Sequence, residues 1–191
     1  TGNMIAAGAM AAPMVYAAKS AISMESGVAD VRKVVDFESP QAFEKMSSDL
    51  VDLSMKIPMS AEGLAQIVAE AGRAGVARKD LLVFAEDAAK MGVAFDTTAE
   101  EAGAMMAKWR TAFGMGQEEV RGLSDKINAL TNTYGGNVAG VSGIVTRIGA
   151  LGGVAGVSAD QIAAMGQVMS AVGVEEEVAA TGIKNFMLTM T

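Results

Sequence analysis

The fold of this chain is indicated most clearly by residues 39–75, which read SPQAFEKMSSDLVDLSMKIPMSAEGLAQIVAEAGRAG. Ser39 followed by Pro40 is a strong helix start, because a serine hydroxyl can cap the first amides and proline suits the first helical position. The apolar residues that follow are spaced three and four apart, namely Phe43, Met46, Leu50, Leu53 and Ile57. This spacing predicts one buried helix face that runs to about Ile57 and ends at Pro58.

Capping motifs predict further helix starts along the chain. Ser60 begins a second helix, and Asn137 is placed to cap another. The overlapping pairs Thr97-x-x-Glu100 and Thr98-x-x-Glu101 are capping boxes, in which the threonine and the glutamate satisfy each other's free amides. Ser158-x-x-Gln161 is a capping box of the same kind.

Glycines predict where these helices end. An apolar residue follows each of five glycines, as expected when glycine takes the left-handed conformation after the last turn and the next side chain packs back. These pairs are Gly75-Val76, Gly92-Val93, Gly114-Met115, Gly156-Val157 and Gly173-Val174. Two further breaks are predicted at Gly135-Gly136 and at Gly152-Gly153.

Length and composition fit the helical pattern. With 191 residues the chain is long enough for one domain, or for one domain with an appendage. Hydrophobic residues make up 51%, Met is frequent at 15, and Val and Ile are too scattered for strands. The sequence therefore predicts an all-α fold: a compact multi-helix domain over residues 37–191, with short helices joined by Gly turns, preceded by an Ala-rich helical extension over residues 1–36.

Several functional classes are excluded by composition. The chain has no Cys and no His, which rules out disulfides, thiolate chemistry, Ser-His-Asp triads and imidazole metal sites. Its net charge of −7 is the wrong sign for wrapping nucleic acid. We predict no cofactor, no metal site and no specific nucleic-acid binding.

The acidic candidates for catalysis have a simpler structural interpretation. Glu100 and Glu101, and the run Glu175-Glu176-Glu177, are the carboxylates that a hydrolase would use as an acid and base pair. Both groups come at predicted helix starts, where carboxylates complement the helix dipole. The glycine-rich stretch 149–156 lacks the pattern of a phosphate loop and indicates a turn. No catalytic residue is predicted.

Three kinds of apolar residue are candidates for partner binding as well as for the core. Trp109 is a possible hot spot, although a lone Trp on an apolar stripe is more often core. The seam residues Phe43, Met46, Leu50 and Leu53 are spaced as in a two-heptad coiled coil. Met-rich stripes at residues 105–106 and 165–169 are likewise more often core than an adaptable surface. The predicted interaction surface comprises Trp109 and these four seam residues.

The ordered series of segments from Met24 to the C-terminus resembles the core region of the tape measure proteins of tailed phages. The segments that carry the resemblance are residues 43–57, 58–64, 71–76, 84–91, 95–102, 123–128, 156–164 and 179–184. The resemblance implies a helical structural protein of the tail tube lumen, assembled in the host cytoplasm, which sets tail length and leaves ahead of the DNA. It also implies self-association and contacts with tail tube and tail assembly or chaperone proteins.

Three other interpretations stay open at this stage. Residues 4–18 are nearly all small or apolar, which favours a packed helix but keeps a membrane-active segment for DNA entry as an alternative. Some tape measure proteins carry cell-wall hydrolase domains, which is a second alternative, and a helical adaptor unrelated to phage is a third. Neither end of the sequence carries the usual start or stop signals, so we expect a piece of a longer protein.

Overall fold

The computed structural model describes residues 25–189, and every regular element in that range is a helix. The predicted all-α class is therefore confirmed for the described part of the chain. Its helices are α1 (25–34 within the described range), α2 (Pro40–Ser54), α3 (Ala61–Arg73), α4 (Leu81–Phe95), α5 (Ala99–Phe113), α6 (Gln117–Tyr134), α7 (Val138–Ala155), α8 (Ala159–Ala171) and α9 (Glu176–Thr189). A short 3₁₀ helix, Arg78–Asp80, precedes α4.

The chain forms two compact units, which divide between Leu82 and Val83. The predicted boundary between an extension and a core at residue 36 stays a prediction, because residues 1–24, and with them the apolar stretch 4–18, lie outside the described range.

Unit 1 contains α1, α2 and α3. Its core is formed by the apolar faces of these helices, with Val31, Leu50, Leu64 and Val68 fully buried. A side chain at Gly72 would come within 2.8 Å of Val35, so this glycine lets the end of α1 approach α3 closely.

Unit 2 is built around α7, which packs against α5, α6, α8 and α9. Its largest fully buried side chains are Phe84, Met106, Trp109, Leu123, Ile127, Ile144, Ile162 and Met187. Helix α7 carries few polar side chains because other helices pack against it on several sides.

Five predicted caps are confirmed, but the predicted Thr97–Glu100 box is wrong, because α5 is capped by Thr98 and the Thr97 hydroxyl donates to Glu101. Ser39, Ser60, Thr98 and Ser158 each accept a hydrogen bond from a backbone amide of the first turn, and Asn137 does the same for α7. Thr98 and Ser158 form complete capping boxes with Glu101 and Gln161. Four of the five predicted helix-ending glycines have positive φ as expected, namely Gly75, Gly114, Gly156 and Gly173.

The predicted helix end at Gly92 is wrong. Helix α4 continues through Gly92 to Phe95, and the left-handed position after it is taken by Asp96, with a φ of 52°. A Cβ at Gly92 would lie 3.1 Å from the backbone nitrogen of Ala99, the first residue of α5. This glycine therefore allows close helix contact and does not end the helix.

Two other predicted ends differ from the structure. Helix α7 runs through Gly152 and Gly153 to Ala155. A Cβ at Gly152 would meet the carbonyl oxygen of Val157 at 2.7 Å, so this glycine admits the close approach of the segment that follows the helix. Helix α2 ends at Ser54, three residues before Ile57. The residue before a proline avoids the helical conformation, so Pro58 ends the helix earlier than its apolar spacing suggests.

Candidate functional site

The structure separates the predicted seam of α2 into a buried and a half-exposed pair. Met46 and Leu50 are buried in the core of unit 1, whereas Phe43 and Leu53 are half-buried. The ring of Phe43 packs edge-on against Phe37. The guanidinium of Arg32 lies 5.3 Å from the centre of the Phe43 ring, at cation–π distance.

Trp109 lies in the core of unit 2, in agreement with the more common role of a lone Trp on an apolar stripe. Its side chain has no exposed surface. The indole nitrogen donates a 2.8 Å hydrogen bond to the hydroxyl oxygen of Thr146 on α7. In this fold neither Leu50 nor Trp109 offers side-chain surface to a partner, because the helices around them cover both.

Two of the carboxylates considered for catalysis, Glu101 and Glu176, hold structural contacts at helix starts. Glu101 accepts a 3.1 Å hydrogen bond from the Thr98 amide and another from the Thr97 hydroxyl. These hydrogen bonds lower the pKa of Glu101 below its ordinary value. Glu176 lies at the first position of α9 and accepts a 3.1 Å hydrogen bond from Arg147 on α7.

A buried carboxylate that the sequence analysis did not single out lies in unit 2. Asp87 on α4 is only 6% exposed and accepts a 2.7 Å hydrogen bond from the side-chain amide of Gln117. Arg110 donates to the other end of that amide at 3.1 Å, and Arg121 lies 3.8 Å from Asp87. Burial raises the pKa of Asp87, an effect that the Gln117 hydrogen bond and Arg121 partly offset.

Asp87 borders a cleft of about 140 Å³ between α4, α5 and α6. The polar side chains that line this cleft are Asp87, Lys90, Arg121, Ser124, Asp125 and Asn128. The signal that locates Asp87 is its spacing: it follows Phe84 by three residues and precedes Met91 by four, so it shares their buried face. The described part of the chain contains no cluster of three metal-binding side chains.

Apolar side chains are exposed along α8 on the surface of unit 2. Val168 and Val172 are 66% and 73% exposed, and Ala164 and Ala171 are exposed beside them. Met165 is half-buried at the edge of this stripe. We call these five residues the α8 face. Of the two Met-rich stripes, the one at 165–169 therefore lies partly on the surface, whereas Met106 of the other lies in the core.

A shallow groove of about 380 Å³ runs beside the α8 face, between α6 and α8. Its apolar lining comes from Ala129, Leu130, Tyr134 and Ala163. The Lys126–Asp160 ion pair, 2.5 Å long, closes one end. Tyr134, 68% exposed, stands at the C-terminal end of α6.

Charge is distributed unevenly over unit 2. Residues 83–191 contain twelve carboxylates and seven basic side chains, a net formal charge of −5. Between residues 127 and 174, however, the only charged residues are Arg147 and Asp160. The α8 face is therefore an uncharged surface on an acidic body.

One helix in the described part of the chain, α7, is long and apolar enough to cross a membrane by length and composition. Its mean hydropathy is 1.5 over 18 residues. In this structure its buried residues, among them Val141, Ile144, Val145 and Ile148, form the centre of unit 2. The core helix of a soluble protein passes the same test, and 39% of this helix is buried in the structure.

In the described range the chain is an all-helical module. Residues 47–191 match the model of a family described as phage-related minor tail protein. The match covers most of the chain, which belongs to this family of phage tail proteins.

A relative refines the identification. The chain is 32% identical over 181 residues to a protein named "Probable tape measure protein" from Halomonas phage phiHAP-1. The aligned part is 88% of this chain and 21% of that protein, so the chain spans about a fifth of the relative's length. No solved structure matches this chain. The resemblance to tape measure proteins is confirmed, and a helical adaptor unrelated to phage is excluded.

Proposed function

We propose that this chain is a structural module of a tape measure protein, acting in tail assembly, tail-length determination and genome delivery. The observation that carries the proposal is the similarity to a tape measure protein along 88% of the chain. Two compact helical units without a long repeat suit a module that folds and makes contacts, while the ruler lies elsewhere in the protein.

The module acts by binding and not by catalysis. The carboxylates that a hydrolase would need are engaged in helix capping at Glu101 and in ion pairing at Glu176. The carboxylate of Asp87 is buried against Gln117. We expect no peptidoglycan hydrolysis by the chain; turbidity loss of purified cell walls that Glu100→Gln or Glu101→Gln abolishes would overturn this part of the proposal.

The partners are copies of the same protein together with tail tube and tail assembly or chaperone proteins. The site of action is the tail tube lumen of the virion, after assembly in the host cytoplasm. The net charge of −7 suits a protein that DNA follows through the tube without binding it.

The test is an in-frame deletion of residues 47–191 from the gene in its own phage or prophage, followed by electron microscopy of the particles. We expect tailless heads or tails of irregular length, with normal tails restored by the full-length gene in trans. Infectious particles with tails of normal length would overturn the proposal. Protease digestion of intact and disrupted tails tests the lumenal location, since a lumenal protein is cut only after disruption.

A membrane-active role is the second candidate, and the hydropathy of α7 is the observation that favours it. The test is flotation of the chain with vesicles of phosphatidylethanolamine and phosphatidylglycerol. Because α7 is packed inside unit 2, we expect the folded chain to stay with the soluble fraction. Co-flotation at neutral pH would favour the membrane role.

A further inference from the structure

The carboxylate of Asp87 uses only one of its two oxygen atoms for hydrogen bonding within the fold. Its Oδ2 accepts the 2.7 Å hydrogen bond from Gln117. Among the described residues no donor bonds to Oδ1, and the guanidinium nitrogen of Arg121 nearest to it lies 3.8 Å away, beyond hydrogen-bond distance. A buried carboxylate is stabilised by donors at both oxygens. Since Asp87 and Arg121 both line the cleft between α4, α5 and α6, a ligand in that cleft can supply the missing donor.

The charges around the cleft favour a cation as that ligand. The two basic side chains that line it are each held by a glutamate of their own helix. These ion pairs are Lys90–Glu86, at 2.6 Å, and Arg121–Glu118. They leave Asp87 and Asp125 as the uncompensated charges of the lining. Burial raises the pKa of Asp87, and Gln117 and Arg121 only partly offset this, as expected for a negative charge that is not fully balanced.

The rest of the cleft favours an aliphatic stem behind the charge. Met91, Phe95 and Met106 line it and are almost fully buried, so they present apolar walls. At about 30 Å³ for each water-sized group, a volume of about 140 Å³ holds about five heavy atoms. A primary ammonium on a four-carbon stem has that size, and its methylene groups are stabilised by contact with apolar walls. A bare inorganic cation would leave these walls in contact with water.

We infer that this cleft binds a primary ammonium ion on a four-carbon aliphatic stem. The ammonium donates to Oδ1 of Asp87, and the stem packs against Met91, Phe95 and Met106. Two sources share this chemistry, namely the lysine side chain of a partner protein and a free diamine. The inference goes beyond the proposed function and does not depend on it.

The first experiment titrates n-butylammonium chloride into the chain, with sodium chloride at equal concentration as the reference. The methionine methyl groups are isotope-labelled, and their signals are assigned by Met→Leu substitutions and followed by nuclear magnetic resonance. We expect the methyl signals of Met91 and Met106 to shift with a dissociation constant of about 1–10 mM, whereas that of Met46, in unit 1, stays in place. The neutral n-butanol has the same stem and should bind at least tenfold more weakly. No shift at either methyl up to about 50 mM, or equal affinity for the alcohol, overturns the inference.

The second experiment repeats the titration with two matched variants. Asp87→Asn removes the charge but keeps an oxygen that can accept from Gln117, so the fold should persist while the affinity for n-butylammonium falls about tenfold or more. Asp52→Asn makes the same change of net charge at an exposed position of α2 and should leave the affinity unchanged. Circular dichroism checks the fold of both variants. Wild-type affinity in Asp87→Asn overturns the inference, and the comparison with n-butanol decides the question without any variant.

The third experiment distinguishes the two sources of the ammonium ion. N-acetyl-lysine methylamide and putrescine are titrated in the same way. If the lysine derivative binds at least as tightly as n-butylammonium and putrescine does not bind more tightly than both, the cleft takes a partner's lysine; tighter binding of putrescine assigns it to a free diamine. If neither probe binds, the inference is overturned. None of these results alters the electron microscopy of the deletion phage, which tests the tail role by itself.

Discussion

The indole nitrogen of Trp109 lies 2.8 Å from the hydroxyl oxygen of Thr146, and this hydrogen bond joins α5 to α7. The Thr146 hydroxyl in turn donates to the carbonyl oxygen of Ser142, at 2.8 Å within α7. The buried indole N–H thus has a partner that is itself oriented by the helix. Because the chain contains a single Trp, its fluorescence reports on this junction alone.

Thr146→Val should destabilise unit 2, because the isosteric methyl group leaves the buried indole N–H without an acceptor. The expected loss is about 1–3 kcal/mol in the free energy of unfolding. Urea denaturation followed by Trp109 fluorescence measures it.

Two matched variants check the cause. Thr146→Ser keeps the hydroxyl and should recover most of the loss. Thr111→Val removes an exposed hydroxyl that bonds only to its own helix, at Ala107, so it should change stability by no more than about 0.5 kcal/mol. Equal losses from Thr146→Val and Thr146→Ser would show that packing, and not the hydrogen bond, stabilises the junction.

Gly152→Ala should destabilise unit 2 although alanine favours helix. The added Cβ would lie 2.7 Å from the carbonyl oxygen of Val157 and 2.8 Å from a methyl group of Ile162. Overpacking of this kind costs about 1–3 kcal/mol. Gly122→Ala, inside α6 with no atom within 4 Å of the new Cβ, should instead stabilise by about 0.5–1 kcal/mol. Thermal unfolding by circular dichroism compares the two, and a stabilised Gly152→Ala would contradict the contact.

Asp87→Asn should leave the chain as stable as the wild type at pH 7, or more stable by up to about 1 kcal/mol. Burial raises the pKa of Asp87 above 3.8, so the folded state holds this proton more tightly than the unfolded chain does. Ionisation of Asp87 therefore opposes folding, and this group's contribution falls as pH rises from 3.8 through the folded pKa. The asparagine oxygen still accepts from Gln117, and the gain should shrink toward about pH 4.

Asp87→Ala provides the contrasting variant in the same denaturation series. It removes the acceptor and leaves the buried amide of Gln117 unpaired on one side, which costs about 1–3 kcal/mol. If Asp87→Asn lowered the free energy of unfolding at pH 7 as much as Asp87→Ala does, the ion pair between Asp87 and Arg121 would outweigh the cost of burying the carboxylate.

The sequence predicts those parts of the fold that depend on neighbours in the chain. The caps at Thr98 and Ser158 need only residues three positions away, so their motifs are sufficient. Gly92 and Gly152 are predicted wrongly as helix ends. Each lies inside a helix and leaves room for the backbone of the following segment, a tertiary contact that the spacing of apolar residues does not reveal. The burial of Asp87 depends on Gln117, thirty residues later.

The surface is harder to predict than the core for a similar reason. Trp109 and Met106 lie on the apolar faces that the spacing indicates. Val168 and Val172 have the same spacing on α8 but stay exposed, because the opposite side of that helix, with Ile162 and Ala163, makes the contacts with the unit. An apolar stripe indicates a helix that packs against something, and the partner is known only once the chain is folded.

The two capping boxes should respond differently to acid. At the start of α5 the carboxylate of Glu101 accepts hydrogen bonds that lower its pKa, so its contribution is present above about pH 4.5 and is lost as pH falls through the folded pKa. In the capping box at the start of α8, the residue that corresponds to Glu101 is Gln161, whose side-chain amide does not titrate. Glu101→Gln should therefore reduce the loss of stability that accompanies a fall in pH below about 4.5, measured by urea denaturation.

Removing the N-cap hydroxyl of Thr98 or Ser158 tests the other hydrogen bond of each capping box. Thr98→Ala and Ser158→Ala each leave a first-turn amide without its acceptor, and each should cost about 1 kcal/mol at pH 7. As pH falls through the folded pKa of Glu101, which lies below its ordinary value, the protonated side chain no longer supports its box. The Thr98→Ala loss should then shrink, whereas the Ser158→Ala loss should persist because Gln161 is unchanged. Equal losses from both variants in acid would mean that the hydroxyl acts independently of the carboxylate and that the box at α5 is two separate hydrogen bonds.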